Sequence, residues 1–281
     1  MLVYRNKDSF LSAGSILAWW PRSVGDVTSF LDEVAVVVLW QCPSSMVPDL
    51  RPWVFRCQPF LTPLIELART EDDLWQGLEA KSCRYEVRKA EKMECVVSRN
   101  EDNEAARLLI NDSIRRLRYR SELGEAEWRA LLPGNDIFLC RWQGQPLAAH
   151  VMLRDHPGRA RLMLSGGVDR TDKRFHSAVG PANRFLHWRE LQYYKAEGYR
   201  LYDFGGCDLD KESPHYRNTQ FKLSFGGHVV EEPIVYLAKN PALRAILRAR
   251  GAAQGALRKV PWPKAWLKTI RASPKLASLF R

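Results

Sequence analysis

The stretch Leu201–Gly227, LYDFGGCDLDKESPHYRNTQFKLSFGG, decides how the rest of the chain is read. It opens as a short aromatic strand ending in Asp203-Phe204-Gly205-Gly206, where paired glycines let the backbone turn sharply or approach a ligand closely. A polar loop with Asp208, Asp210, Lys211, Glu212, His215 and Arg217 follows. The stretch closes on Phe221-Lys222-x-x-Phe225-Gly226-Gly227, a cation set between aromatics beside a second glycine pair. Loops held between rigid elements are where chemistry concentrates. Two glycine corners around a polar loop therefore predict a cleft.

Upstream, a second stretch reads Trp75-x-x-Leu78, then Lys81, Arg84 and Val87-Arg88-Lys89-Ala90-Glu91-Lys92. Together with Tyr202-Asp203-Phe204-Gly205-Gly206 and Phe221-Lys222-Leu223-Ser224-Phe225-Gly226, it resembles the Fem-type (FemABX) peptidoglycan aminoacyltransferases and the wider acyltransferases of the GNAT-like fold. The resemblance runs from about Glu66 to Leu237. It implies an α/β (α+β) fold with a mixed, mostly antiparallel central sheet, and an enzyme that acylates an amine. It also implies that Lys222 stabilises charge and that the Phe221 carbonyl meets the attacking amine.

The element pattern agrees. Val34–Trp40 reads as a strand, and Glu71–Leu78 with Ser82–Met93 as helix. Cys83, Val87 and Ala90 share one face of that helix, and Arg84, Arg88 and Lys92 another. Glu101–Arg120 predicts a further helix. Ile137–Trp142 and Leu147–Leu153 predict a hairpin about Gln143-Gly144-Gln145, and Ala160–Val168 a third strand. A helix with Pro181 in its first turn runs to Gly198. The strand Tyr199–Phe204, the polar loop, Phe221–Phe225 and a last strand over Val229–Leu237 complete the order. These boundaries predict a short N-terminal subdomain (1–65), an acyltransferase domain (66–238) and a basic helical tail (239–281).

Composition suits a globular enzyme: 281 residues, 46% hydrophobic and 27% charged. No apolar run reaches the ~18 residues of a membrane-spanning helix. Phe10–Trp20 follows Arg5 and Lys7 but lacks a small-residue cleavage site, so no signal peptide is expected. The six cysteines form no C-x-x-C pair and no zinc-ligand spacing with histidine, which predicts reduced thiols and no metal. Cys207 is open to two readings, a small residue filling a bend or a nucleophile served by His215.

Charge is concentrated at one end. No acidic residue follows Glu232, while the lysines and arginines beyond it number 11, equal to the formal net charge of +11. Lys264, Lys268, Arg271 and Lys275 recur on one helical face and Trp262, Trp266 and Ile270 on another. Such a tail suits an anionic membrane surface, and equally tRNA. The expected location is cytoplasmic, with peripheral attachment to the inner face of the plasma membrane.

Acyl transfer to an amine builds negative charge on the carbonyl oxygen, and a preorganised cation there is the largest catalytic aid. Lys222, flanked by Phe221 and Phe225, fits that need. Asp203 is costly to bury unless paired, so it is expected to bind the N–H groups of Gly205 or Gly206, or a cation. It positions the acceptor or takes its proton, with Asp210, Glu212 and His215 as other bases. Arg84 and Arg88 are candidates for a phosphate or sugar carboxylate, and Tyr216 and Arg217 for a sugar. The turn Lys173–Gly180 is basic and reaches a helix start, as phosphate binding requires, though it lacks the Q/R-x-x-G-x-G/A pattern of acyl-CoA binders. Arg174, Gly180 and Asn183 are its candidate donor ligands. The donor is acyl-CoA or aminoacyl-tRNA, used as a co-substrate with no tightly bound cofactor, and the acceptor an envelope glycan or lipid-linked sugar. A non-catalytic tRNA- or membrane-binding protein on a degenerate fold is the other class, which the intact motifs disfavour.

Overall fold

The computed structural model describes residues 1–6, 15–118 and 120–259. The strands are β1 (Leu2–Asn6), β2 (Ser15–Trp19), β3 (Val36–Trp40), β4 (Val54–Gln58), β5 (Leu61–Glu66), β6 (Val96–Arg99), β7 (Asn135–Trp142), β8 (Gln145–Asp155), β9 (Arg159–Gly167), β10 (Leu201–Asp203), β11 (His228–Glu231) and β12 (Ile234–Leu237). The helices are α1 (Val24–Glu33), α2 (Val47–Leu50), α3 (Glu71–Gly77), α4 (Tyr85–Lys92), α5 (Asn103–Leu117), α6 (Glu125–Leu131), α7 (His176–Ala196), α8 (Tyr216–Leu223) and α9 (Pro241–Lys259).

Two compact units divide these elements: Phe60–Glu231, and Met1–Pro59 with Glu232–Arg281. The first is built on a seven-stranded sheet of order β11-β5-β10-β9-β8-β7-β6. Its β7–β8–β9 meander is antiparallel, and β10 joins β9 in parallel after the α7 crossover. Alternation along β7 sorts the core. Ile137 and Leu139 join Ala106, Ile110 and Ile114 of α5 on one face. Phe138 and Cys140 join Val87 and Ala90 of α4 and Leu186 and Leu191 of α7 on the other. The second unit has a five-stranded sheet, β1-β2-β3-β12-β4, with Val27, Phe30 and Leu31 of α1 in its core.

The sequence reading needs four corrections. The single strand expected over 229–237 is two strands in two sheets: β11 pairs with β5, and β12 with β3 and β4. Glu232-Pro233 separates them, and proline cannot continue a ladder. The boundaries expected near 65 and 238 therefore cut through pairings on both sides, since β5 belongs with β10 and β12 with β3. The helix expected over 82–93 begins as a π turn, Ala80–Arg84, a feature common beside functional sites. Pro181 lies inside α7, not in its first turn. Its missing N–H leaves the Ser177 carbonyl without a helical donor, and Lys89 Nζ donates to that oxygen at 2.9 Å instead.

In the tail, α9 carries Arg244 and Arg248. Arg244 donates to the Ala238 and Lys239 carbonyls and Arg248 to Val54 O at 2.5 Å, so both charges are engaged within their own unit. The tryptophan and lysine pattern of residues 262–275 lies outside the described residues. Among those described, no helix is long and apolar enough to cross a membrane.

Candidate active site

Parallel pairing of β9 with β10 stops at Arg161 and Asp203. Beyond that point the two chains part. β9 continues along β8 to Gly167, while Phe204 N and Cys207 N bond to Pro63 O and Leu61 O beside β5. The edge of β9 past Arg161 is left without a strand partner among the described residues. Over this gap opens a cleft of about 1460 Å³, walled by the N-terminal half of α7 on one side and by Gly205, Gly206 and α8 on the other.

Asp203 fixes the glycine corner. Its carboxylate is fully buried and accepts from Thr62 Oγ1 at 2.5 Å, Gly205 N at 2.7 Å and Arg159 Nη1 at 3.2 Å, with Arg161 Nε 3.9 Å away. The expected pairing with the corner and with a cation is present. Gly205 takes φ +71, and a Cβ there would stand 3.0 Å from Leu162 O, so only glycine sits without strain. Gly206 has an open backbone, but its Cβ would meet the Phe60 ring at 3.2 Å.

Lys222 projects from α8 to the same corner. Nζ donates to Gly206 O at 2.5 Å and Gly205 O at 3.4 Å. An ammonium has three donors, so one remains for the cleft. Burial first, then the Arg161 guanidinium, push its pKa down to about 8. Phe221 lies against Phe225, under the Arg184 guanidinium at 4.6 Å. Its carbonyl accepts from Ser224 Oγ at 2.6 Å.

The cleft gathers some expected residues and not others. Gly205, Gly206, Arg217, Phe221, Lys222, Gly180 and Asn183 line it, while Asp203 lies below the lining. Arg84, Arg88, Tyr216 and Arg174 are not in the lining. Arg84 donates to Gln76 Oε1 at 2.7 Å, and Arg88 stacks over Trp75 at 5.4 Å. The face they share points away: Glu86, two residues from each and so on the opposite side of the helix, takes the cleft side. Arg174 folds back on Asp172 at 2.7 Å, and the helix-start N–H of His176 is taken by Asp172 O. The cation on that wall is Arg184, which bonds Glu86 Oε2 and Ser224 Oγ at 2.7 Å each. Cys207 has its thiol pKa raised by burial, and no hydrogen bond joins it to His215.

Beneath the α7 wall lies a polar cluster of which sequence reasoning singled out only the half-buried Asn183 and missed the buried members. Asn183, His187, Glu190 and Tyr194 recur at i, i+4, i+7 and i+11, one helical stripe. Glu190 Oε1 accepts from His150 Nδ1 at 2.8 Å, and Oε2 from Tyr202 OH at 2.5 Å. His187 Nδ1 lies 2.7 Å from Tyr202 OH, and His150 Nε2 3.0 Å from Asn183 Oδ1. Burial alone would raise the Glu190 carboxyl, but the charge and N–H of His150, then His187, bring it down to about 2. His187 is pushed down to about 4, chiefly by burial. His150, His187 and Glu190 are grouped closely enough to consider as metal ligands. His150 Nδ1 and Glu190 Oε1, however, stand 2.8 Å apart, the separation of a hydrogen bond and shorter than the roughly 3.3 Å between ligands of a tetrahedral metal at 2.0–2.1 Å.

Residues 79–222 match the family model described as an acetyltransferase (GNAT) domain. Among solved structures, FemX shares 14% identity over 79% of this chain and 77% of its own, with TM-score 0.60. The C-terminal domain of a putative lysylphosphatidylglycerol synthetase from Agrobacterium fabrum shares 16% over 85% and 82%, with TM-score 0.54. L-PGS from Bacillus licheniformis shares 13% over 84% and 82%, with TM-score 0.53. At these identities the likeness is one of fold. No curated protein sequence matches the chain.

Proposed function

The chain belongs to the GNAT acetyltransferase-domain family and is an acyltransferase; on that premise we propose that it carries an acyl or aminoacyl group from acyl-CoA or aminoacyl-tRNA to an amine of a cell-envelope glycan or lipid-linked sugar precursor. The observation that carries this reading is the gap between β9 and the chain after Asp203, with Lys222 at its mouth. The open β9 edge offers backbone groups along which an extended donor arm can lie. An acyl carbonyl presented there meets the remaining Lys222 N–H, which supports the oxyanion as the amine attacks. Asp203 acts as a positioning residue: with both oxygens engaged, it holds the corner whose carbonyls orient Lys222. The Phe221 carbonyl, already bonded to Ser224, has a second lone pair for the incoming amine. Arg184 and Arg217 supply positive charge for an anionic substrate group.

A lipid-linked acceptor is consistent with the fold shared with the lysylphosphatidylglycerol synthetase domain, and residues 239–281 are proposed to reach the anionic surface that bears it. The test uses the full chain with 14C-acetyl-CoA, and separately with tRNA charged with 14C-serine, alanine or lysine, on an extract of bacterial envelope lipids and glycan precursors. Label entering the extract from one donor class is expected. No transfer from either class would overturn the reading.

A further inference from the structure

The buried cluster under α7 has a direction. Tyr202 OH donates its single proton to Glu190 Oε2 at 2.5 Å and His150 Nδ1 lies 2.8 Å from Oε1, so both carboxyl oxygens are engaged as acceptors, as the lowered pKa of that carboxyl beside His150 and His187 favours. His187 Nδ1, 2.7 Å from that phenol oxygen and 3.4 Å from Oε2, must then be the donor. In a neutral imidazole the proton on Nδ1 leaves a lone pair on Nε2, at the opposite edge of the ring. No hydrogen bond engages Nε2 among the described residues, and Nε2 is not among the sealed polar atoms. His187 itself lines the cleft between Phe204, Phe221 and Phe225, whose rings lie 5.0–5.7 Å away.

We propose that His187 Nε2 is the proton acceptor of the acyl-transfer cleft, oriented from below by Tyr202 and Glu190. The proposal rests on the acyl-transfer reading above. The acceptor amine nitrogen bonds to the acyl carbon, and the carbon–sulfur or carbon–oxygen bond to the donor breaks. The proton shed by the nitrogen passes to Nε2 and then to the departing thiolate or ribose oxygen, so charge and atoms balance. The transient imidazolium is stabilised by Glu190 through Tyr202. Charged and titratable groups face His187 from every side: Glu190 on α7, His150 on β8 with ring centroids 4.2 Å apart, Tyr202 on β10, and Lys222 on α8. The carboxylate favours the imidazolium, while Lys222 and His150 oppose it. A proton taken up here is therefore released readily to the leaving group.

Two measurements test this on the full chain. Long-range 1H–15N correlation of the 15N-histidine-labelled protein reads the tautomer without any substrate; Nε2 is expected unprotonated at neutral pH, and a protonated Nε2 overturns the proposal. In the transfer assay, His187→Gln is expected to lower kcat about 100-fold with KM unchanged, and imidazole to restore part of the rate to His187→Ala. Glu190→Gln should move the acid limb of the wild-type pH profile to lower pH, whereas a merely structural Glu190 would lower the rate equally at every pH. A wild type silent with acetyl-CoA and charged tRNA overturns the acyl-transfer reading and the base with it. An active wild type whose folded His187→Gln variant keeps its rate overturns the base alone. If that variant does not fold, the tautomer spectrum and the Glu190→Gln profile decide.

Discussion

Lys222 on α8 and His187 on α7 look into one cleft, and burial disfavours the cationic form of both. The outcomes differ because the starting points differ. Lys222 falls from 10.5 to about 8 and keeps its charge at neutral pH. His187 falls from 6.5 to about 4 and loses it. One desolvating environment thus leaves a cation on one wall and a base on the other. Pairs of groups held in different protonation states are how a single site performs both electrophilic and basic work.

The contrast depends on the floor between the walls, so the largest expected effect is at Asp203. Asp203→Ala would leave Arg159 and Arg161 buried beside a missing charge. Breaking a buried pair in this way costs about 3–5 kcal/mol, measured as a fall in the urea midpoint. A loss under about 1 kcal/mol would mean that the corner holds itself, and the two walls would then have to be explained separately.

Lys222→Ala should follow, with transfer lowered about 100-fold and folding retained. Arginine should rescue poorly, because its planar fork cannot place charge where one ammonium proton stood. Activity lost only in step with folded protein would make the lysine a strut for Gly205 and Gly206.

The walls should also separate on pH. Transfer should decline as pH rises through about 8, where Lys222 discharges. Stability responds at the other end. His187 stays neutral in the folded chain while its unfolded counterpart takes up a proton below 6.5, so the unfolded state binds more protons between 6.5 and about 4. Thermal stability should therefore drop as pH falls through that window, and His187→Gln should flatten the drop. An unchanged slope in the variant would place the titrating group elsewhere.

Much of the α8 wall was legible in the sequence because glycine and proline report backbone demands directly. Gly205 takes the positive φ that a sharp turn after Tyr202-Asp203-Phe204 requires, and the hairpin at Gln143-Gly144 follows from the same chemistry. Of the α7 wall only Gly180 and Asn183 were singled out. Helix α7 is buried on nearly every side, so periodicity gave no single inward face, and the apolar residues Phe185, Trp188 and Leu191 drew attention from the polar stripe between them. His150 is one residue in an apolar strand, and nothing local shows that Glu190 lies opposite it. Only the i, i+4, i+7 spacing of Asn183, His187 and Glu190 within an otherwise apolar helix held a signal. Lys89 is similar: its role depends on Pro181, distant in sequence.

The two glycines of the corner sharpen the comparison within one wall. Gly205→Ala forces a side chain into positive φ and toward Leu162 O, which should cost about 1–3 kcal/mol. Gly206→Ala meets only the edge of the Phe60 ring, which can turn, and should cost less. Equal losses by thermal denaturation would mean that contact, not backbone conformation, sets the requirement.

The smallest effect is expected where sequence and structure disagree. Arg84, Arg88 and Lys92 share a helix with Glu86, yet only Glu86 reaches the cleft, where it holds Arg184. The exposed Arg88 lies over Trp75 instead, an interaction of about 0.5–1 kcal/mol at such sites. Arg88→Ala should thus lower the melting temperature slightly and leave kcat and KM within about twofold, the range of surface substitutions away from a site. Arg184→Ala is the matched control on the cleft side. It removes the partner of Glu86 and Ser224 and the cation over Phe221, so KM should rise if Arg184 meets an anionic substrate group. A rise in KM for Arg88→Ala with none for Arg184→Ala would restore the basic face of α4 as the binding surface and remove α7 from that role.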